Sequence, residues 1–236
     1  SSKETGLVTN ANSMWLNDKP FKKDLETALK RRVKLMNDAN CFTLSEAVDG
    51  AGKDYQSIFG IIVGTGFGGA LSYKKEIIEG ANQIAGDWGH QPLPYPTKEE
   101  IETKINCPSM NCGRPLCAEQ FMSGIGFKDV FNQKNNTNFS SEEIVQLDLD
   151  GDPRANLELS LYEDRMARLM AVMIGIFDPD AIILGGGMSN IDRLYKNIPA
   201  LIPKYTFSNK VITKVIKNFH GDSSGVRGAA WLWNNV

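Results

Sequence analysis

The fold class of this chain can be read from SIFGIIVGTGFGGALSY, residues 57–73. Residues 57–64 form a continuous apolar run of strand length, which is typical of a strand buried on both faces. The glycines of GTGFGG, residues 64–69, predict a turn, and residues 69–73 then form the second arm of a hairpin. A hairpin in this position argues against a simple doubly wound sheet and favours a mixed sheet.

Strand and helix patterns alternate along the rest of the chain, so the predicted class is α/β. AIILGGG, residues 181–187, is a second buried strand that runs into glycines, and residues 211–218 alternate as a strand should. VKLM, residues 33–36, predicts a short strand. A long helix is predicted to begin at Glu163 and to be stopped by Asp178 and Pro179, and residues 91–117 read as a surface excursion.

Composition and charge exclude several classes of protein. The 236 residues, of which 42% are hydrophobic and 23% charged, suit one large globular domain or two modest ones. A net charge of −2 argues against nucleic acid as an obligate partner. No apolar run approaches the roughly 20 residues that a membrane span requires, so no membrane partner is expected. Four cysteines, three of them clustered, do not resemble a disulfide framework and favour a reducing cytoplasm.

The two glycine clusters are candidates for nucleotide binding. Successive backbone N–H groups in GTGFGG could cradle a phosphate, although the same residues also suit a plain hairpin turn. LGGGMSN, residues 184–190, forms a strand–glycine–helix junction that could receive a nucleotide, or that merely ends the strand. GTGFGG matches neither the P-loop pattern nor a G-x-G-x-x-G that opens a helix. Two such junctions in one α/β chain favour the nucleotide hypothesis.

NDAN, residues 37–40, precedes a predicted helix. A carboxylate at a helix N-terminus is kept ionised by the helix dipole, so Asp38 could accept a proton from a substrate hydroxyl. The alternative is that Asp38 or Asn37 only caps the helix.

CPSMNCGRPLC, residues 107–117, concentrates three cysteines, and His90 precedes them. Three cysteines and a histidine are the usual make-up of a structural zinc site, with no position left for a catalytic water. The alternative is a group of reduced thiols without a metal. Glu119 follows the last cysteine and would lie near this loop, or it is a surface charge.

Six motifs together resemble one family along essentially the whole chain. They are NDANCFTLSEA, GTGFGGA, GDWGHQPLP, CGRPLCAEQFMSG, DPDAIILGGGMSN and HGDSSGVRGAAWLW, and they stand in the order seen in the ROK family of sugar kinases and repressors. The tail and the opening residues look closest to bacterial fructokinases of the manno(fructo)kinase type.

The resemblance implies an actin-like, RNase H-like ATPase fold, in which two α/β domains with mixed sheets close on ATP and sugar. Residues 1–49 would be a remnant of the small N-terminal domain. Residues 50–221 would form the large domain with a zinc loop at 86–120, and residues 222–236 a C-terminal helix that returns to the small domain. The D-x-G-G-T hairpin with which the family begins does not occur in the 236 residues, so we expect either a fragment or a segment supplied elsewhere.

The implied activity is ATP-dependent phosphorylation of a hexose with Mg²⁺, most simply of D-fructose to fructose 6-phosphate. Mannose, glucose and N-acetylglucosamine are further candidate substrates. Asp38 would be the general base, and a homodimer is the default assembly. The residues that would hold the sugar are Asn37, Asp87, His90 and Glu119. Those that would approach ATP are Gly64, Thr65, Gly66, Gly185, Gly186 and Gly187, and the structural zinc ligands would be His90, Cys107, Cys112 and Cys117.

The chain departs from the family pattern at three further positions. Asp87 replaces the usual Glu of the G-E-x-G-H motif and is one methylene shorter. Met110 stands where the first cysteine is common, and Leu116 replaces a glycine, so Cys107 would reach the metal through a longer loop. The alternatives to a kinase are a sugar-responsive repressor of the same family and a catalytically dead sugar-binding fragment. Retention of Asp38 and of both glycine junctions favours the kinase.

Overall fold

The computed structural model describes residues 5–9, 13–103, 105–108, 112–208 and 210–233. Within them a five-stranded mixed sheet has the order β3-β2-β1-β4-β5. Its strands are β1 (Ser57–Val63), β2 (Phe67–Tyr73), β3 (Glu76–Ile78), β4 (Ala181–Gly185) and β5 (Lys214–Lys217). β2 pairs antiparallel with β1 and β3, whereas β4 pairs parallel with β1 and β5. The predicted hairpin and the mixed sheet are therefore confirmed.

Helices cover both faces of this sheet. They are α1 (Phe21–Leu29), α2 (Asp38–Val48), α3 (Lys98–Ile101), α4 (Ala118–Met122), α5 (Gly124–Asn135), α6 (Ser141–Leu149), α7 (Pro153–Phe177), α8 (Arg193–Leu201) and α9 (Ser224–Trp231). Among the described residues, none of these helices combines the length and the apolar character needed to cross a membrane.

Strand β1 lies at the centre because both of its faces are apolar. Phe59 and Ile61 belong to the main core with residues of α4, α5, α7 and α8, while Ile58 packs on the opposite face with Phe42 of α2. This alternation follows from the two-residue period of a strand. Helix α9 packs directly on α2, where a Cβ on Gly228 would lie 1.7 Å from the carbonyl oxygen of Cys41.

Two predicted elements differ from the structure. Helix α7 begins at Pro153 rather than Glu163, because Asp152 caps it by accepting a hydrogen bond from the Arg154 N–H. Residues 33–36 form no strand, since no described strand pairs with them.

The predicted domain limits stay predictions. Helix α2, which the division at residue 49 assigns to the small domain, packs on the sheet through Phe42. Met110 lies outside the described residues.

The excursion at residues 91–117 is anchored to α7 by a buried ionic cluster that the sequence did not reveal. One oxygen of Glu100 lies 2.7 Å from Arg165 Nε and 2.7 Å from Arg168 Nη2. Arg165 also donates to Glu158, and the side chains of these four residues are at most 3% exposed. Buried charges of this kind require their partners, so α3 is held against the long helix.

Candidate active site

The glycine turn, residues 64–66, joins β1 to β2 and is closed by a 3.0 Å hydrogen bond from the Gly64 N–H to the Gly66 carbonyl. The second glycine junction lies against it, because β1 and β4 are parallel neighbours. A Cβ on Gly186, whose φ is +82°, would lie 2.5 Å from the Val63 carbonyl oxygen. The sheet therefore brings together the two glycine clusters that the sequence singled out.

A cleft of about 680 Å³ opens beside these two junctions. The N-termini of α5 and α6 both border it, capped by Ser123 and Ser140. Helix N-termini carry partial positive charge and unpaired N–H groups, which favour an anion such as a phosphate. The lining residues are Gly64, Thr65, Gly124, Ile125, Lys128, Ser140, Ser141, Glu142, Val145, Gly187, Met188, Asn190 and Ile191.

Of the six glycine-cluster residues predicted to approach ATP, Gly64, Thr65 and Gly187 line this cleft. Gly66 is exposed at the tip of the turn, and Gly186 faces Val63. Gly185 packs under Phe42, whose ring carbon would lie 2.4 Å from an added Cβ.

The side of the cleft that α5 and α6 form was not predicted from the sequence. Helix α6 begins with a capping box, in which Ser140 and Glu143 exchange hydrogen bonds of 3.2 and 2.7 Å. The pattern S-x-x-E was visible in the sequence and could have located this helix start.

The N-terminus of α2 carries the predicted base. The side-chain oxygen of Asn37 accepts hydrogen bonds from Ala39 N–H at 2.9 Å and Asn40 N–H at 3.3 Å, so Asn37 is the cap. Asp38 is exposed, and one of its oxygens accepts from Ala39 N–H at 2.9 Å. Asn37 is therefore the main cap of α2, and the Asp38 carboxylate is exposed to solvent.

The four predicted zinc ligands converge. One ligand atom from each of His90, Cys107, Cys112 and Cys117 lies within 4.8 Å of all the others. Ligands of a tetrahedral Cys₃His zinc site stand about 3.8 Å apart, so a small contraction would complete the site. The His90 Nδ1 is buried and has no hydrogen-bond partner among the described residues, which is compatible with a role as a metal ligand. Burial raises the pKa of the Cys117 thiol. A bound cation would lower this pKa, because a cation binds the thiolate form.

The segments that carry the predicted sugar ligands run side by side. Ala118 N–H donates to the Gln91 carbonyl and Glu119 N–H donates to the Gly89 carbonyl, each at 2.8 Å. Glu119 is 8% exposed and accepts a 3.1 Å hydrogen bond from the Phe67 N–H, so it is not a surface charge. Asp87 is exposed, and the structure places it on the same loop as His90.

These features can be compared with known proteins. The sequence model of the ROK family matches residues 1–236. The chain belongs to the ROK family.

Matches to two curated relatives cover nearly the whole chain. An N-acetyl-D-glucosamine kinase of Vibrio cholerae serotype O1 is 37% identical over 229 residues, which are 97% of this chain and 76% of that protein. One of Vibrio atlanticus is 39% identical over 214 residues, 91% of this chain and 71% of the relative. The fructokinase type predicted from the motifs is not confirmed by these relatives.

Solved ROK structures share the fold. A ROK family glucokinase from Streptomyces griseus, in complex with glucose and AMPPNP, has a TM-score of 0.83 at 22% identity and covers 100% of this chain and 78% of its own. A ROK hexokinase from Thermus thermophilus has a TM-score of 0.82 at 24% identity, covering 98% of this chain and 76% of its own. The predicted α/β, actin-like ATPase fold is therefore confirmed.

Proposed function

We propose that this ROK protein transfers the γ-phosphoryl group of ATP to a hydroxyl of a hexose. The observation that carries the proposal is the cleft where both glycine junctions meet the N-termini of α5 and α6. Two helix N-termini and the glycines Gly64, Gly124 and Gly187 border that cleft, which suits the phosphates of a nucleotide. The curated relatives named as kinases support the same reaction class.

The protein's task in such a transfer is positioning and charge neutralisation, since the transferring group needs little covalent help. Mg²⁺ would arrive with ATP and neutralise part of the phosphate charge. Lys128 lines the cleft, and its Nζ lies 2.7 Å from the Asp129 carboxylate, which offsets part of its positive charge. Thr65 is exposed in the turn, so its main-chain N–H would lie close to the phosphates, whereas the Gly64 N–H is already donated to the Gly66 carbonyl.

Asp38 is proposed as the general base. A base in this reaction accepts the proton of the attacking hydroxyl, and a carboxylate that remains ionised can do so at neutral pH. Asp38 is exposed in the first turn of α2, and Asn37 supplies the cap independently. The rate contribution of a positioned base of this kind is about 10²–10⁴-fold.

Zinc is proposed as a structural cation at the Cys₃His site. Four protein ligands would fill a tetrahedron, so the chain leaves no coordination position for a reacting group. Bound there, the metal would fix the ring of His90 and the backbone at Cys117, two residues before Glu119. Asn37, Asp87, His90 and Glu119 are proposed to hold sugar hydroxyls, with the metal holding the last two in place.

We propose N-acetyl-D-glucosamine as the first sugar to test and D-fructose as the second. The relatives at 37% and 39% identity are named for N-acetyl-D-glucosamine, whereas the tail motif suggested fructose. Specificity depends on how pocket contacts discriminate between competing transition states.

The test is sugar-dependent ADP release by the purified gene product with ATP and Mg²⁺, using N-acetyl-D-glucosamine, fructose, mannose and glucose in parallel. Release with one sugar, and a phosphosugar product by mass spectrometry, supports the kinase. Release with none of them contradicts it and favours the sugar-binding alternative. Retention of promoter DNA at low salt, lost on adding sugar, would favour a repressor instead.

A further inference from the structure

The zinc loop and the glycine turn are joined by a short segment, residues 117–126, which we call the clamp segment. It begins at the proposed zinc ligand Cys117 and touches the turn at two points. Glu119 Oε2 accepts a hydrogen bond of 3.1 Å from the Phe67 N–H, at the first residue of β2. The Gly124 N–H donates to the Gly64 carbonyl oxygen at 2.7 Å, on the other arm of the turn.

The clamp segment is itself rigidly held. Ser123 N–H donates to the Glu119 carbonyl at 3.2 Å, and the Ser141 hydroxyl donates to the Gly124 carbonyl at 2.7 Å. A Cβ on Gly126 would lie 2.1 Å from the carbonyl oxygen of Gln120. Helices α4 and α5 therefore pack too closely at Gly126 for any side chain to fit. A displacement of Glu119 would therefore be transmitted to the turn.

The two oxygens of Glu119 face different parts of the site. Oε2 lies at the turn, where an added Cβ on Gly66 would be 3.3 Å away. Oε1 lies 3.8 Å from the Cys107 sulfur, on the side of the zinc ligands. One carboxylate thus bridges the proposed metal loop and the turn that would approach ATP.

We infer that Glu119 is a positioning residue for the glycine turn, so that nucleotide affinity depends on it even when no sugar is bound. The inference rests on the proposed function, and it assigns Glu119 a task beyond contact with sugar. Phe67 is 4% exposed, so water cannot readily replace the carboxylate as the acceptor of its N–H. An unpaired N–H at the start of β2 would favour a displaced turn and a poorly formed phosphate site.

The test is calorimetric binding of Mg²⁺·AMPPNP, without sugar, to the parent protein and to three variants. Glu119→Ala removes the acceptor. Glu119→Asp keeps the charge but withdraws the carboxylate by one methylene, and Glu119→Gln keeps the reach and a carbonyl acceptor but loses the charge. Glu102→Ala, which removes an exposed carboxylate from the end of α3, is the control. Zinc content and the unfolding temperature of each protein are measured in parallel.

We expect Kd for AMPPNP to rise about tenfold in Glu119→Ala and Glu119→Asp, as for loss of one buried hydrogen bond. Glu119→Gln and Glu102→Ala should bind like the parent. Equal binding by Glu119→Asp and the parent overturns the inference, as does a Glu119→Gln variant that binds as weakly as Glu119→Asp. If Glu119→Ala does not fold, the comparison of Glu119→Asp with Glu119→Gln still tests the inference. A parent that binds no nucleotide would instead contradict the proposed function.

Discussion

Gly186 lies directly against Val63: the position of a Cβ on Gly186 is 2.5 Å from the Val63 carbonyl oxygen. This contact packs the end of β4 against the end of β1. It brings together two glycine clusters that are far apart in sequence. It is available only to glycine, because φ is +82° and the space for a side chain is taken by backbone.

Replacing Gly186 by Ala should therefore separate the two junctions. We expect the free energy of unfolding to fall by about 1–3 kcal/mol from backbone strain, and AMPPNP binding to weaken. Urea unfolding and calorimetry measure the two effects. Gly175→Ala is the matched control, because this glycine lies inside α7 with open space around its Cβ position. It should keep nucleotide binding and gain up to about 1 kcal/mol of stability. Equal stability of the Gly186 variant and the parent would contradict the packing argument.

Asp38→Asn should lower kcat by about 10²–10⁴-fold, with KM for the sugar nearly unchanged, because it removes a base and keeps the shape. Steady-state ADP release measures both constants. Asn37→Ala is the comparison variant: it removes the cap and a proposed sugar contact, so it should cost about 1 kcal/mol of stability and raise KM for the sugar. A kcat for Asp38→Asn that matches the parent would remove Asp38 from the mechanism.

Cys112→Ser should abolish stoichiometric zinc binding, because a hydroxyl is a poor replacement for a thiolate ligand. Elemental analysis of the purified variant gives the metal content, and sugar titration should show weaker binding. Cys41→Ser is the control, since Cys41 lies in α2 and is not part of the four-residue cluster. Zinc retained at one equivalent by Cys112→Ser would show that this ligand is misassigned.

Glu100→Gln should destabilise the protein by about 3–5 kcal/mol, because Arg165 and Arg168 would stay buried without their shared counter-charge. Chemical unfolding measures the loss. Glu102→Gln provides the contrast, since its pair with Lys98 is exposed and 3.9 Å long, and its effect should stay within about 0.5 kcal/mol. A small effect at Glu100 would mean that the excursion is not held to α7 in this way.

The same cluster predicts how stability depends on pH. Burial alone would raise the pKa of Glu100, but hydrogen bonds from Arg168 and Arg165 outweigh it and lower the pKa below the ordinary value of 4.5. Because the folded-state pKa is depressed, the contribution is present above pH 4.5 and is lost as the pH falls through the folded-state pKa. Unfolding free energies between pH 7 and pH 3 should show this decline in the parent and a smaller one in Glu100→Gln. Parallel curves would contradict the assignment.

Local patterns in the sequence were sufficient for the hairpin of β1 and β2, the buried strand β4 and the end of α7 before Pro179. Each of these depends on neighbouring residues: an apolar run, turn glycines, or a proline that cannot continue a helix. The Cys₃His set could be recognised too, because its ligand types are rare enough to be noticed. The strand expected at residues 33–36 was wrong, since a strand also needs a partner, which a local pattern does not contain.

The sequence by itself determined which residue types were available for the reaction: a carboxylate before a helix, two glycine clusters and four zinc-type ligands. Only the tertiary structure decided that the glycine clusters touch, that Asn37 caps α2 in place of Asp38, and that Glu119 reaches Phe67 rather than solvent. The physical reason is that these relationships arise from strand pairing and helix packing between distant segments. Such contacts depend on distances and burial in three dimensions, which the order of residues along the chain does not express.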